Sequence, residues 1–219
     1  MSKRKQERID SPEEHAARRR LLRAALELFM KKGYAATSVR EIVDAAGLTK
    51  PVLYYYFGSK EGIYFELMRE PFERLGDILD QATRQEGGFC EKIIRIFDLI
   101  FALFTERIGE ARLMYSIYYG PPQGAPFIDF EAYHRKIREV ILHLIKEGVA
   151  RGEVNAANDR ECLDWMWVLI GALNVILEEQ LCQAPPTMNG EGLSRIVSLV
   201  IRGMGGMNHE KRDCPDDHA

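Results

Sequence analysis

Between Ser38 and Glu61, helix starts and helix stops alternate so closely that the segment has room for two very short helices. Ser38, with Glu41 three positions on, is a capping box, and Val39, Ile42, Val43 and Ala46 then fall at i, i+3, i+4 and i+7. Gly47 stops that helix. Thr49 stands where the next helix needs a cap, Gly58 ends it, and Ser59-Lys60-Glu61 opens a further one. A longer helix precedes the pair. Ser11 can cap it, Pro12 suits its first position, Glu14 can reach back, and Lys31, Lys32 and Gly33 form its end. Leu22, Ala25, Leu26 and Phe29 are its expected buried face.

Short helices of about eight and about seven residues, joined by Ala46-Gly47-Leu48 beside a longer helix, make a helix-turn-helix unit. In that geometry the second helix enters the DNA major groove and presents its N-terminal residues to the bases. Those residues are Thr49, Lys50, Pro51 and Val52. Lys50 can donate to guanine, while Pro51 and Val52 offer apolar contact to a thymine methyl. Tyr54 and Tyr55 can reach phosphate or a base edge, with Leu53, Phe57 and in part Tyr56 anchoring the helix from behind. Thr37 and Ser38 at one helix N-terminus and Lys60 at another are candidate phosphate contacts, and Arg40 belongs to the same surface. Charge is consistent with this. Residues 1–60 carry 13 Lys and Arg against 7 Asp and Glu, a basic head on a chain whose net charge is −3.

From about Arg19 to Met68 the chain resembles the DNA-binding region of TetR-family transcriptional regulators. The resemblance is carried by Gly33-Tyr34, Thr37-Ser38-x-x-x-Ile42, Ala46-Gly47-Leu48-Thr49, Leu53-Tyr54-x-Tyr56-Phe57 and Ser59-Lys60-Glu61, in the family's order and spacing. Two positions depart from it. Lys50 stands where the family often has a small residue, which suggests a base preference of its own, and Tyr56 stands where it often has His. The resemblance implies a DNA-binding head on a helical body that dimerises and usually binds a small effector.

The remaining chain also reads as helical, so the expected fold is all-α. Helices are expected over residues 89–107, 110–119, 127–151, from Asn158 to about Cys182 and from Leu193 to Met204; Asn158 and Glu161 form another capping box. Pro71 should kink or end the helix that Ser59 begins. The expected domains are a disordered basic arm over 1–10, a helix-turn-helix domain over 11–68, a ligand-binding and dimerisation domain over 69–207, and a disordered tail over 208–219. Residues 159–182 are apolar on nearly every side, and a helix of that kind must be buried all round. A second chain is therefore expected against Val168, Gly171, Ala172 and Val175, with Ile196, Val197 and Val200 of the last helix, as a four-helix bundle.

An effector site is expected among Phe97, Phe101, Phe104, Met114, Tyr115, Tyr118 and Tyr119, with Trp167 and Asn174 from the long helix. Rings with a few phenolic hydroxyls suit an apolar or aromatic molecule. Glu131 and His134 have the spacing of a di-iron carboxylate motif, but no second such pair occurs in the body, and no nucleophile triad, P-loop or dinucleotide fingerprint appears. No enzyme activity, metal or cofactor is expected. No apolar run is long enough to span a bilayer, and the charged N-terminus lacks a secretory signal. The four cysteines show no C-x-x-C pair, which argues against a disulfide framework and for the reducing cytoplasm. The expected partners are thus double-stranded DNA with a palindromic operator, a second copy of the chain and a small effector, with no membrane. The expected activity is repression relieved by the effector. The alternative is an architectural or cell-division protein that binds DNA on the same scaffold without an effector.

Overall fold

The computed structural model describes residues 12–182 and 185–205. The expected Ser11 cap, the arm over 1–10 and the tail over 208–219 lie outside the described residues. Those described form nine helices and no strand: α1 (Pro12–Lys32), α2 (Val39–Ala46), α3 (Lys50–Phe57), α4 (Lys60–Arg84), α5 (Phe89–Glu106), α6 (Ile108–Tyr118), α7 (Phe130–Ala150), α8 (Asp159–Leu181) and α9 (Gly190–Met204). Side-chain caps explain the starts that the hydrophobic pattern misjudged. Asp129 accepts from the Ala132 amide, so α7 begins at Phe130, and Asn189 accepts from the Gly192 amide, so α9 begins before Leu193. At α8, Asn158 caps the Arg160 and Glu161 amides as expected, but the Glu161 carboxylate reaches the Ala157 amide.

Two units share the chain. The first takes residues up to Glu70 together with Gly109–Ile128, and the second takes Pro71–Ile108 and the chain from Asp129 onward. In the first, α1 packs against α2 and α3, and Leu21, Ala24, Ala25 and Phe29 are buried, as are Ile42, Val43, Ala46, Leu53, Ile63, Tyr64 and Leu67. The buried face of α1 is therefore centred about one position from the expected one, with Leu22 and Leu26 only half-buried. Leu26 is free to meet α6, where its Cδ2 would lie 2.9 Å from a Cβ added to Gly109. Phe29, Tyr34 and Tyr64 form an edge-and-tilt ring cluster with centroids 5.2 to 6.4 Å apart.

The second unit packs α5 against α7, α8 and α9 around Ile93, Ile96, Phe97, Ile141, Leu144, Leu169, Leu173, Leu193 and Val197. Lys92, nearly buried, ion-pairs with Glu147 of α7 at 3.3 Å. Helix α4 does not end at Pro71 but runs on to Arg84. Interrupting one backbone bond costs ~3 kcal/mol. Packing offsets that cost: Leu67 and Met68 are buried before the proline, and beyond it Phe72 stacks on Tyr133 at 3.9 Å and Leu79 is buried. Cys162 and Cys182 are free thiols, whereas Cys90 is disulfide-bonded. The disulfide at Cys90 is one bond that the expectation against a disulfide framework did not foresee.

Candidate nucleic-acid interface

Helices α2 and α3 owe their brevity to their caps. The Ser38 hydroxyl accepts from the Glu41 amide at 3.3 Å, and the Glu41 carboxylate accepts from the Ser38 amide at 2.9 Å, completing the box. The Lys32 ammonium, hydrogen-bonded to Glu41, is the main reason that carboxyl is held down to about 2, with the Ser38 amide and hydroxyl adding to it. Gly47 closes α2 in the left-handed region at φ 60°, and its carbonyl accepts from Arg20 at 3.3 Å. A side chain there would be strained and would meet the same guanidinium at 2.7 Å. Helix α3 then starts afresh after Leu48, and Gly58 ends it.

One face of α3 is fixed: Leu53 is fully buried, and Phe57 lies under the Arg18 guanidinium at 5.6 Å. The opposite face is open. Thr49, Lys50, Pro51, Tyr54 and Tyr55 are exposed, the two tyrosines by 50% and 61%, and Val52 is half-buried beside them. Thr49 occupies the N-cap position, yet its hydroxyl makes no capping bond. Among the described residues Lys50 has no hydrogen bond or ion pair. The first turn of α3 thus presents a hydroxyl, an ammonium and apolar edges together, with phenols one turn on. Arg40 is exposed on α2, loosely paired with Asp44 at 3.7 Å.

Two residues expected on this surface are engaged elsewhere. Thr37 is 1% exposed, and its hydroxyl donates to the Gly33 carbonyl at 2.9 Å, so it shapes the α1–α2 turn. Lys60 donates to the Tyr34 carbonyl at 2.9 Å and the Thr37 carbonyl at 2.8 Å, with its ammonium 4.1 Å from the Tyr34 ring centroid. Burial, with repulsion from Lys32, pulls its pKa down. A turn with inward carbonyls attracts the nearest flexible cation, and sequence spacing gave no sign of that demand. Ser38 stays exposed with its hydroxyl committed to the capping box.

The other expected sites divide. Along α8, Leu163, Trp167, Val168 and Val175 are exposed, Val175 by 68%, Gly171 has open space around it and Ala172 is half-buried. Helix α8 is therefore not buried all round within one chain. Val197 is fully buried on the inward face of α9, so it is not at an outer surface; Ile196 and Val200 are half-buried, and Leu199, which the pattern overlooked, is 62% exposed. Phe97 is likewise sealed in the core of the second unit, while Trp167 faces outward under Arg138 and Asn174 is exposed. Heptad-like spacing marks stripes without saying which stripe faces inward. Phe101 and Thr105 instead line a cleft of about 580 Å³ with Gln180, Met188 and Arg195, and Phe104 is half-buried. Met114 and Tyr115 are half-buried and Tyr118 and Tyr119 exposed on α6 and just after it, in the first unit. Glu131 is held by Arg138 beside His134, and no group of three or more His, Cys, Asp or Glu that could hold a metal occurs among the described residues. No helix described is long and apolar enough to cross a membrane.

A capped pair of short helices whose second member bares a polar, cationic first turn defines a DNA-reading head of the helix-turn-helix class. Comparison with known proteins narrows the class. The family model for bacterial regulatory proteins of the tetR family matches residues 21–67. An HTH-type transcriptional repressor, KstR2 of Mycolicibacterium smegmatis, is 31% identical over 74% of this chain and 82% of its own length. YdgC of Bacillus subtilis, an uncharacterized HTH-type transcriptional regulator, is 38% identical over 86% of this chain and 92% of its own. The crystal structure of the TetR-family regulator PfmR from Thermus thermophilus superposes with a TM-score of 0.63 at 24% identity, covering 84% of this chain and 97% of that one. This chain belongs to the TetR family and is a DNA-binding transcriptional regulator.

Proposed function

We propose that the chain acts in the cytoplasm as a homodimeric repressor that occupies a palindromic operator and leaves it when a small effector binds the helical body. The observation that carries the DNA contact is the bare first turn of α3, where Thr49 makes no cap and Lys50 has no partner among the described residues. Lys50 and Thr49 read base edges, Pro51 and Val52 meet thymine methyls, and Tyr54, Tyr55, Arg40 and Ser38 lie along the phosphates. The exposed apolar row of α8, extended by Leu199 and the half-buried Ile196 and Val200 of α9, supports pairing with a second copy. Effector binding is supported more narrowly, by the cleft at Phe101, whose ring and Met188 offer apolar surface.

Selection of bound duplexes from random DNA tests the reading. A dimer should enrich one inverted repeat whose half-sites lie ~34–36 Å apart on one side of the duplex. Enrichment of no sequence, or of many unrelated ones, would overturn it in favour of an architectural protein.

A further inference from the structure

The segment Gly120–Pro126, with adjacent prolines at 121 and 122, follows α6 and belongs to the same unit as the α1–α2 turn. Gln123 joins the two. Its backbone carbonyl accepts from the Ala35 amide at 3.1 Å. Its side-chain Nε2 donates to the Ser116 carbonyl at 3.0 Å, in the last turn of α6. Its Oε1 is buried without a partner and lies 3.3 Å from where a Cβ on Gly33 would stand. One residue further, a Cβ on Gly124 would lie 3.4 Å from that of Ala35. The neighbouring rings do little to hold this loop by burial, since Tyr119 is 67% and Phe127 86% exposed. The Gln123 carbonyl therefore holds the loop to the turn, and the Gln123 side chain holds that loop to α6.

That turn is the foundation of the reading head. Ser38, which caps α2, follows it directly, and Thr37 and Lys60 clamp it from the other side. Helix α2 in turn packs against α3. A shift of residues 34–37 would move the start of α2 and with it the first turn of α3, while every DNA-facing side chain stayed intact. A misplacement of about 1 Å is enough to spoil base contacts whose donors must meet two acceptors at once.

We propose that Gln123 is a positioning residue for sequence-specific DNA binding: it straps the α1–α2 turn to the end of α6 and so fixes the recognition helix in its reading position. The proposal rests on the DNA-binding reading above. Because the strap holds the head from α6, loosening it lowers specific affinity without removing a single DNA contact.

The test uses the full-length protein, a duplex enriched by the wild type from random DNA, and a scrambled duplex of equal length. Gln123→Ala, and Gln123→Glu, which keeps the shape and loses the Nε2 donor, should weaken binding to the enriched duplex roughly tenfold, the worth of one or two hydrogen bonds. Binding to the scrambled duplex and its salt dependence should not change. Rescue is the second arm. Ala35→Cys with Gly124→Cys places two Cβ atoms about 3.4 Å apart, near disulfide reach, although a side chain at 124 is strained in the left-handed region at φ 64°. Added to Gln123→Ala, the oxidised pair should bind the enriched duplex more tightly than the same protein reduced, while Gln123→Ala without the pair shows no such difference. Unchanged affinity in both Gln123 variants overturns the proposal. So does an equal loss on both duplexes, which would mean simple damage to the fold. A wild type that enriches no duplex overturns instead the DNA-binding reading on which the proposal rests.

Discussion

Replacing Lys60 by Met separates two roles that a lysine at a helix start can have. If its ammonium neutralised a DNA phosphate, removing it would lower the slope of log affinity against log salt by ~0.9 and leave stability alone. The structure gives it another task, with bonds at 2.9 and 2.8 Å to the Tyr34 and Thr37 carbonyls and a ring face at 4.1 Å. Hydrogen bonds from a charged donor are worth ~1.5–3 kcal/mol each, and the cation–π contact about 0.5–1 kcal/mol. Burial opposes part of this, as the lowered pKa of Lys60 reflects. Methionine keeps the apolar stem over Tyr34 but takes the ammonium from the Thr37 carbonyl and leaves the Tyr34 carbonyl with the Thr37 amide alone. The net loss should be ~2–3 kcal/mol, or roughly 4–12 °C in melting temperature for a chain of this size. Thermal melts and salt titrations on an enriched duplex read the two quantities side by side. A Lys60→Met protein that melts like the wild type yet shows a flatter salt dependence would refute the structural role and restore the phosphate contact.

Other positions give sharper single outcomes. Thr49→Ala should cost under about 0.5 kcal/mol of stability, less than the ~1 kcal/mol of a working cap, because no capping bond is lost; chemical denaturation checks this. Lys50→Ala should relax discrimination at one operator position by ~1–3 kcal/mol and leave other positions unchanged, read from titrations on single-mismatch duplexes. Gly171→Arg meets nothing within its own chain, so the monomer should fold, but an unpaired charge in a dimer interface costs ~3–5 kcal/mol. Sedimentation should then show monomer at concentrations where the wild type pairs. The Glu41 carboxyl sits at about 2 against a usual 4.5, so its contribution is complete above 4.5 and disappears as pH falls toward 2. Glu41→Gln, which can still close the capping box, should make the denaturation midpoint less sensitive to acid across that window.

What the sequence disclosed here is what short-range chemistry determines. The box at Ser38 and Glu41, the left-handed stop at Gly47 and the buried Leu53 each depend on residues within four positions, and spacing exposes them. Direction was harder to read. Val197 and Val200 share a stripe on α9, yet one is sealed inside and the other half-buried, because the choice depends on where α5 and α8 lie. The same ambiguity placed Phe97 beside a ligand when it fills the core, and placed Asn174 in an interior it does not enter. Polar roles set by distant backbone were the least visible. Thr37 and Lys60 look like anion contacts while the carbonyls of 33, 34 and 37 are left out of account, and Gln123 looks like loop filler until the Ala35 amide is seen to need an acceptor.

These hidden partners converge on one short turn. Residues 33–37 receive Lys60 from α4, the Thr37 hydroxyl from within, and Gln123 from beyond α6. A peptide group taken out of water must find a partner, so this turn draws one from α4 and another from the loop after α6. Residues that satisfy the turn also set its position. That makes the turn the place where a change at α6 could be felt by α3, through hydrogen bonds that leave no mark on the surface that meets DNA. Specificity in this head should therefore be sensitive to substitutions at 37, 60 and 123 as well as at 49 and 50. The two groups should differ in one respect: loss at the turn lowers affinity for the whole cognate site, and loss at 50 alters the preference for a single base pair.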